Sequence, residues 1–250
     1  MSKDPREYED FLYKLRPKWN FYLNEEILQC NTPSENNIGY LIESKTIIEG
    51  VYVDFILNWE RVIDNFKYIF VQDSSLLKYH PKIKWAPASF IWINEPQIYP
   101  KTKLISMISS KKNMCPEHTR RLAMVDRMSA IGGVDIYGQG FRYIEKKEEG
   151  LCDYMFSIAM ENARYPGNFT EKIMDCFATG TIPIYSGDPT IDRFFNPDGI
   201  ITLTDDFHPS QVNEDLYYKK MDAIKENLEI VKQFSSIQDW IHEKYLKELE

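Results

Sequence analysis

Eight short apolar runs recur along the chain, at 38–43, 68–73, 90–93, 103–110, 134–138, 154–160, 181–187 and 199–203, each closed by turn-forming or charged residues. Several, such as "YMFSIAM" (154–160), are continuous rather than alternating, the pattern of strands covered on both faces in a parallel sheet. Helical periodicity lies between them. "EHTRRLAMVDRMSAI" (117–131) carries Leu122, Val125 and Met128 on one face, and "EKIMDCFATG" (171–180) carries Ile173, Met174 and Phe177 before a glycine stop. Strand, helix, strand is the order of βαβ units, so the fold class is α/β with parallel sheets.

A chain of 250 residues, 43% of them hydrophobic, has enough apolar material for one large α/β domain or two small ones. "NEPQIYPKTK" (94–103), with two prolines and no periodicity, reads as a linker, which divides the chain into domains at 1–100 and 101–250. The tail from Gln211 onward places Leu216, Met221, Ile224, Leu228, Val231, Trp240 and Ile241 among many charges, as amphipathic helices packed on the body would. Acidic and basic residues are mixed on its polar face, so peripheral membrane association is not required by it.

With 30 Lys+Arg against 38 Asp+Glu the formal charge is -8, which disfavours a nucleic-acid partner and means that any phosphate is bound by a local pocket. Cys30, Cys115, Cys152 and Cys176 are scattered without CxxC spacing, and His80, His118, His208 and His242 without ligand spacing, so both sets read as packing or surface residues. The opening "MSKDPREYEDFLYKLRPKWN" is charged throughout and lacks the apolar core of a signal peptide, and no run of roughly 18 apolar residues occurs, so a cytoplasmic location is expected.

The stretch "NFTEKIMDCFATGTIPIYSGDP" (168–189) sets Glu171 and Lys172 in the first turn of a helix that follows a strand. Unpaired N–H groups and the positive end of the helix dipole favour a carboxylate there, so Glu171 has a purely structural reading as a helix start. It has a functional one as well. In open α/β sheets ligands bind beyond the carboxyl ends of strands, where a Glu accepts from ribose hydroxyls and a Lys meets phosphate oxygens.

The longer stretch "FSIAMENARYPGNFTEKIMDCFATGTIPIYSGDPTIDRFFNPDGIITLTDDF" (156–207) resembles the donor-binding domain of the α-1,3-fucosyltransferases, glycosyltransferase family 10. Glu161-Asn162 closes an apolar strand, seven residues follow, and then come Thr170-Glu171-Lys172, a helix, "GTIPIYSGDP" and "FFNPDGII" in the family's order. Upstream, "VDIYGQG" (134–140) is similar to the family's Val-Asp-x-Tyr-Gly, and Arg121 stands where the family places an arginine on the donor diphosphate, with Arg120 an equally basic neighbour. "IGYLIESKTI" followed by "FKYIFVQD" is similar to the family's Tyr-x-Gly-Glu and Phe-Asp-Tyr strands, which puts Glu43 at the catalytic base; Glu49 and Glu60 are its competitors. One departure stands out: Asn168 replaces a tyrosine, leaving Phe169 or Tyr165 to offer an aromatic surface.

The resemblance implies a GT-B-type fold, two Rossmann-like domains with parallel sheets facing a cleft, and inverting transfer of L-fucose from GDP-fucose to a hydroxyl of a saccharide acceptor. It implies Glu43 as base, and Arg121, Asn162, Asn168, Thr170, Glu171 and Lys172 as donor-binding residues. No cofactor beyond the donor substrate is implied, and with no Asp-x-Asp in the chain a divalent metal is not required. Two other readings stay open: a transferase of the same fold using another nucleotide sugar in surface polysaccharide or glycan synthesis, and a catalytically silent nucleotide-sugar or glycan-binding protein.

Overall fold

Most of the apolar runs become strands of two all-parallel sheets in the computed structural model, which describes residues 19–249. The N-terminal stretch read above for a leader segment lies, up to Lys18, outside the described residues. The described chain divides into two units, one of residues 19–88, 165–168 and 237–249, the other of 89–164 and 169–236.

The first unit carries β1 (Asn20–Leu23), α1 (Glu26–Gln29), β2 (Asn37–Leu41), α2 (Glu49–Val62), β3 (Tyr68–Val71) and β4 (Ile83–Trp85), with the strands side by side in chain order. β2 is buried along its whole length, and Ile27, Phe55, Val62, Ile69 and Val71 form the core beside it. α2 holds together because Tyr52, Phe55 and Val62 face that core while Val53 and Leu57 stay exposed.

The second unit carries β5 (Lys103–Ile108), α3 (Pro116–Ile131), β6 (Asp135–Tyr137), α4 (Glu148–Leu151), β7 (Tyr154–Met160), α5 (Glu171–Ala178), β8 (Ile182–Ser186) and β9 (Ile201–Thr202), then α6 (Glu214–Lys219) and α7 (Met221–Val231). Its sheet runs β6-β5-β7-β8-β9. The chain leaves β5 for one edge and returns to build outward on the other side, so the order reverses between β5 and β7. That reversal is the topological switch point at which ligands bind in doubly wound sheets. β7 and β8 are buried at every position, as their continuous apolar sequences require.

The sequence reading and the structure part in three places. "FIWI" (90–93) is no strand: Ile91 donates its backbone N–H to Phe234, Trp92 donates to Asp175, and the segment runs as a strap along the second unit. The expected linker continues this strap, with Gln97 and Tyr99 donating to the carbonyls of Ala178 and Thr179 at the end of α5, so the units divide at Ala88 rather than near residue 100. The tail also divides. α7 packs Ile224 into the second unit's core, while α8 (Ile237–Ile241) and the turns after it belong to the first unit, where Trp240 meets Trp85 edge-on at 5.3 Å. Among the described residues no helix is long and apolar enough to cross a membrane.

Candidate active site

α5 begins at Thr170, whose hydroxyl accepts from the Lys172 N–H, and ends where Gly180 takes a φ of 68° and donates to Phe177 while Thr181 donates to Cys176. Both ends are thus fixed locally, and the first turn lies just past the carboxyl end of β7. Glu161, the residue after β7, is fully buried as a side chain and organises that turn. Its carboxylate accepts from the Thr170 N–H at 2.9 Å, the Thr170 hydroxyl at 2.7 Å and the Lys172 ammonium at 3.2 Å. Gly187 in the "SGDP" turn lets the chain pass close to it, since a β-carbon there would lie 2.5 Å from Glu161 Cγ.

Glu171 sits between two ammoniums, with Lys147 and Lys172 each 3.5 Å from its Oε1, while the Ser89 hydroxyl donates to its Oε2 at 3.0 Å. Burial alone would raise this carboxyl, but the two lysines hold it well below the usual carboxylate range. Burial would likewise lower Lys172, and Glu161 with Glu171 reverses that and holds it above the usual lysine range. Both side chains are charged at neutral pH.

Arg121 arrives from α3 and spans the switch point. Its guanidinium donates to Asn162 Oδ1 at 3.3 Å, just past β7, and to Ser110 Oγ at 3.4 Å, just past β5. It is 6% exposed, its Nε is buried with no hydrogen-bond partner, and among the described residues it forms no ion pair. Burial is the largest influence on it and lowers its pKa, and its charge in turn works against that of Lys172. Two cations are therefore held together at a helix N-terminus, and among the described residues Arg121 has no direct ion pair, only the charge of Glu161 acting from beyond contact in its favour. Arg120, its neighbour, is paired to Asp205 at 2.8 Å and Glu117 at 3.4 Å and bonds Ser186 Oγ.

His118 completes this corner. It is buried, takes the Met114 N–H on Nδ1, and so carries its proton on Nε2, which donates to Asn162 Oδ1 at 3.0 Å. Burial, then the Arg121 charge, push its pKa down, which keeps it neutral. Sequence reasoning passed over His118, Ser89 and Lys147. Glu161 was legible as half of the Glu-Asn pair, but its part in holding Thr170 and Lys172 was not.

The structure gathers Arg121, Asn162, Thr170, Glu171 and Lys172. Asn168 groups with the first unit. It is 2% exposed and belongs to the segment 165–168, where Ser74 donates to Pro166, the Trp85 indole donates to Gly167, and Gly167 takes a φ of 87° to fit against Gln72 and Trp85. Neither proposed aromatic surface is presented. Phe169 is fully buried against Phe194, Phe195 and Phe234, and Tyr165 is buried under the Lys45 ammonium, 4.2 Å from its ring centroid.

Glu43 lies in the first unit, two residues past β2, exposed, with its carboxylate accepting the Ser44 N–H at 2.7 Å. Its backbone is fixed by Asn24 Oδ1, which accepts from the Ile42 and Glu43 N–H groups, and by the Tyr52 hydroxyl on its carbonyl. Glu49 and Glu60 are exposed on α2, and Asp73, two residues past β3, is held by Lys45 at 2.6 Å. The strand-end position belongs to Glu43 and Asp73.

Compared with known proteins, residues 98–234, more than half of the chain, match the pattern of "Glycosyltransferase family 10 (fucosyltransferase) C-term". The chain belongs to glycosyltransferase family 10. All the candidate donor residues of this family 10 chain fall inside that match, and Glu43 falls before it. Similar to it are the α-(1,3)-fucosyltransferase FucT of Helicobacter pylori, 33% identical over 94 residues, covering 36% of this chain and 20% of the relative, and the 4-galactosyl-N-acetylglucosaminide 3-α-L-fucosyltransferase 9 of Cricetulus griseus, 28% identical over 128 residues, covering 49% and 34%. The chain thus spans at most about a third of these curated relatives' length. Among solved structures, an α1,3-fucosyltransferase with GDP is 20% identical with a TM-score of 0.49, covering 77% of this chain and 65% of that one. Among the described residues no group of three or more His, Cys, Asp or Glu could hold a metal ion.

Proposed function

We propose that this family 10 chain is a fucosyltransferase-like glycosyltransferase that takes L-fucose from GDP-fucose and passes it, with inversion, to a hydroxyl of a saccharide acceptor in an α-1,3 type linkage. The observation that carries the proposal is Arg121: a buried guanidinium with an unpartnered Nε, facing the N-terminal turn of α5 beside Lys172. A buried cation without a direct counter-ion is costly unless an anion completes the site. A diphosphate bound across the switch point supplies that anion.

On this reading the acceptor oxygen attacks the anomeric carbon as the bond from that carbon to the diphosphate oxygen breaks, and the acceptor hydroxyl proton passes to the Glu43 carboxylate. The charge that builds on the departing diphosphate meets Arg121, Lys172 and the first-turn N–H groups of α5. Glu171 accepts from donor hydroxyls, and Asn162, held by His118, orients Arg121. The GT-B-type arrangement, the saccharide acceptor, the dispensability of a metal ion and the cytoplasmic location expected from the sequence belong to the same proposal.

The burial of Asn168, Phe169 and Tyr165 favours a second reading, a transferase of the same fold with another nucleotide sugar, because no aromatic surface is presented where the family has tyrosine. Calorimetric titration with GDP, UDP and CMP separates the two: GDP is expected to bind at least tenfold more tightly, and preference for another nucleotide removes the fucosyl reading. Glu43→Gln is expected to lower transfer by a factor of about a thousand with GDP affinity unchanged, in line with the weight of a general base. Turnover that persists in that variant removes Glu43 as the base, and no turnover with any donor points to a silent binding protein.

A further inference from the structure

Lys147 belongs to none of the motifs that the sequence singles out, yet it is among the most enclosed cations of the second unit. It comes from the residues just before α4, and its ammonium lies 2.8 Å from Asp175 Oδ2, 3.5 Å from Glu171 Oε1 and 4.0 Å from the centroid of the Trp92 ring. Lys172 stands on the other side of Glu171, 3.5 Å from the same oxygen, and reaches Glu161 at 3.2 Å. Charges therefore alternate along one row: Asp175, Lys147, Glu171, Lys172, Glu161. The two end carboxylates are 1% and 0% exposed as side chains and are fully engaged, whereas Glu171 in the middle keeps 15%.

Without Lys147 the row would hold three carboxylates around one ammonium, and like-charge repulsion in a buried setting would protonate or displace one of them. Asp175, which burial already pushes up to about 6, would take the proton, and Glu171, the exposed middle member left with Lys172 and Ser89, would be the one to turn, because Asp175 is also fixed by the Trp92 N–H at 2.7 Å and Glu161 by Thr170. The strap closes the row from outside: Ser89 fixes Glu171 Oε2 and the Trp92 ring covers Lys147. A cation placed there keeps Glu171 ionised and turned in one direction.

We infer that Lys147 is a positioning residue for the donor site, fixing the Glu171 carboxylate as the acceptor for a hydroxyl pair of a nucleoside diphosphate; this rests on the functional reading above. Lys147 touches no substrate and acts through Glu171. The test is GDP titration by calorimetry, between pH 5 and pH 8, of the 250-residue chain and its variants Lys147→Met, Lys147→Arg, Glu171→Gln and the double substitution at 147 and 171. Lys147→Met is expected to weaken GDP about ten- to a hundredfold at pH 8, above the value of about 6 to which burial pushes Asp175, while Lys147→Arg recovers most of the loss. In the Glu171→Gln background the same change is expected to cost less than threefold, since residues acting through one another do not add. If Lys147→Met does not fold, adding Asp175→Asn removes the stranded buried carboxylate and the comparison is made in that pair. GDP affinity within twofold of the unsubstituted chain, or a Lys147 effect undiminished on Glu171→Gln, overturns this inference alone. Absence of GDP binding by the unsubstituted chain overturns the functional reading and this inference with it.

Discussion

Arg120 and Arg121 are neighbours in sequence and opposites in electrostatics. Arg120 is spent on Asp205, Glu117 and Ser186, and Arg121 is buried on neutral oxygens with one N–H unanswered. Sequence spacing could not separate them, because both lie on one helix and differ only in which side of α3 meets the sheet. The Thr-Glu-Lys trio and the Glu-Asn pair were legible, since they are local to β7 and α5 and keep a fixed spacing. Lys147, Ser89 and His118 were not, since each reaches the site from another element. Gly187 was readable only as a turn, yet its missing side chain makes room for the Tyr185 ring and hydroxyl and for Glu161. Gly187→Ala is therefore expected to displace Tyr185 and Glu161 together, costing about 1–3 kcal/mol by chemical denaturation as overpacking does, and to weaken GDP binding through the contacts of Glu161 with Thr170 and Lys172.

At the scale of elements, the second unit's strands and its two main helices follow from continuous apolar runs and 3.6-residue periodicity. What escaped were pieces whose partners are remote. "NFYL" of β1 and "IKW" of β4 are too short to show a pattern, and "FIWI" has strand composition but lies along α5 and its surroundings instead of in a sheet. One cation ties these ends together: Lys101 donates to the carbonyls of Leu151, Cys152 and Thr179 and to the Thr181 hydroxyl, where α4 and α5 end. Burial outweighs those acceptors and pushes its pKa down to about 8. The unfolded chain binds this proton up to the ordinary lysine range near about 10.5 and the folded chain releases it earlier, so this group makes stability rise with pH across that window. Burial pushes the Cys152 thiol up to about 11 and the Cys176 thiol up to about 12, and these oppose the rise, so urea unfolding at pH 8 and pH 10 is expected to show a more favourable change with pH in the unsubstituted chain than in Lys101→Met. An identical slope in both would assign it to other groups.

For the whole molecule, composition and run order indicated two α/β units, but not that the first is closed by the end of the chain. Amphipathic tail helices look alike whichever unit receives them, and Trp240 and Tyr245 declare their place only by packing on Trp85 and Phe70. Ending the chain at Ser236 is expected to strip Ile237, Trp240, Ile241 and Leu246, all buried, from the first unit and to cost it several kcal/mol at about 25 cal/mol per Å² of apolar surface. Thermal unfolding followed by tryptophan fluorescence would then show an earlier transition, and an unchanged curve would contradict the assignment of that segment. The central claim is that the second unit holds a nucleoside diphosphate at its switch point through Arg121, and calorimetric titration of GDP into the chain and into Arg121→Met tests it most directly. Affinity should fall at least a hundredfold in the variant while folding stability is unchanged or higher, because a buried, unpaired cation has been removed. Equal GDP affinity in the two proteins would contradict it.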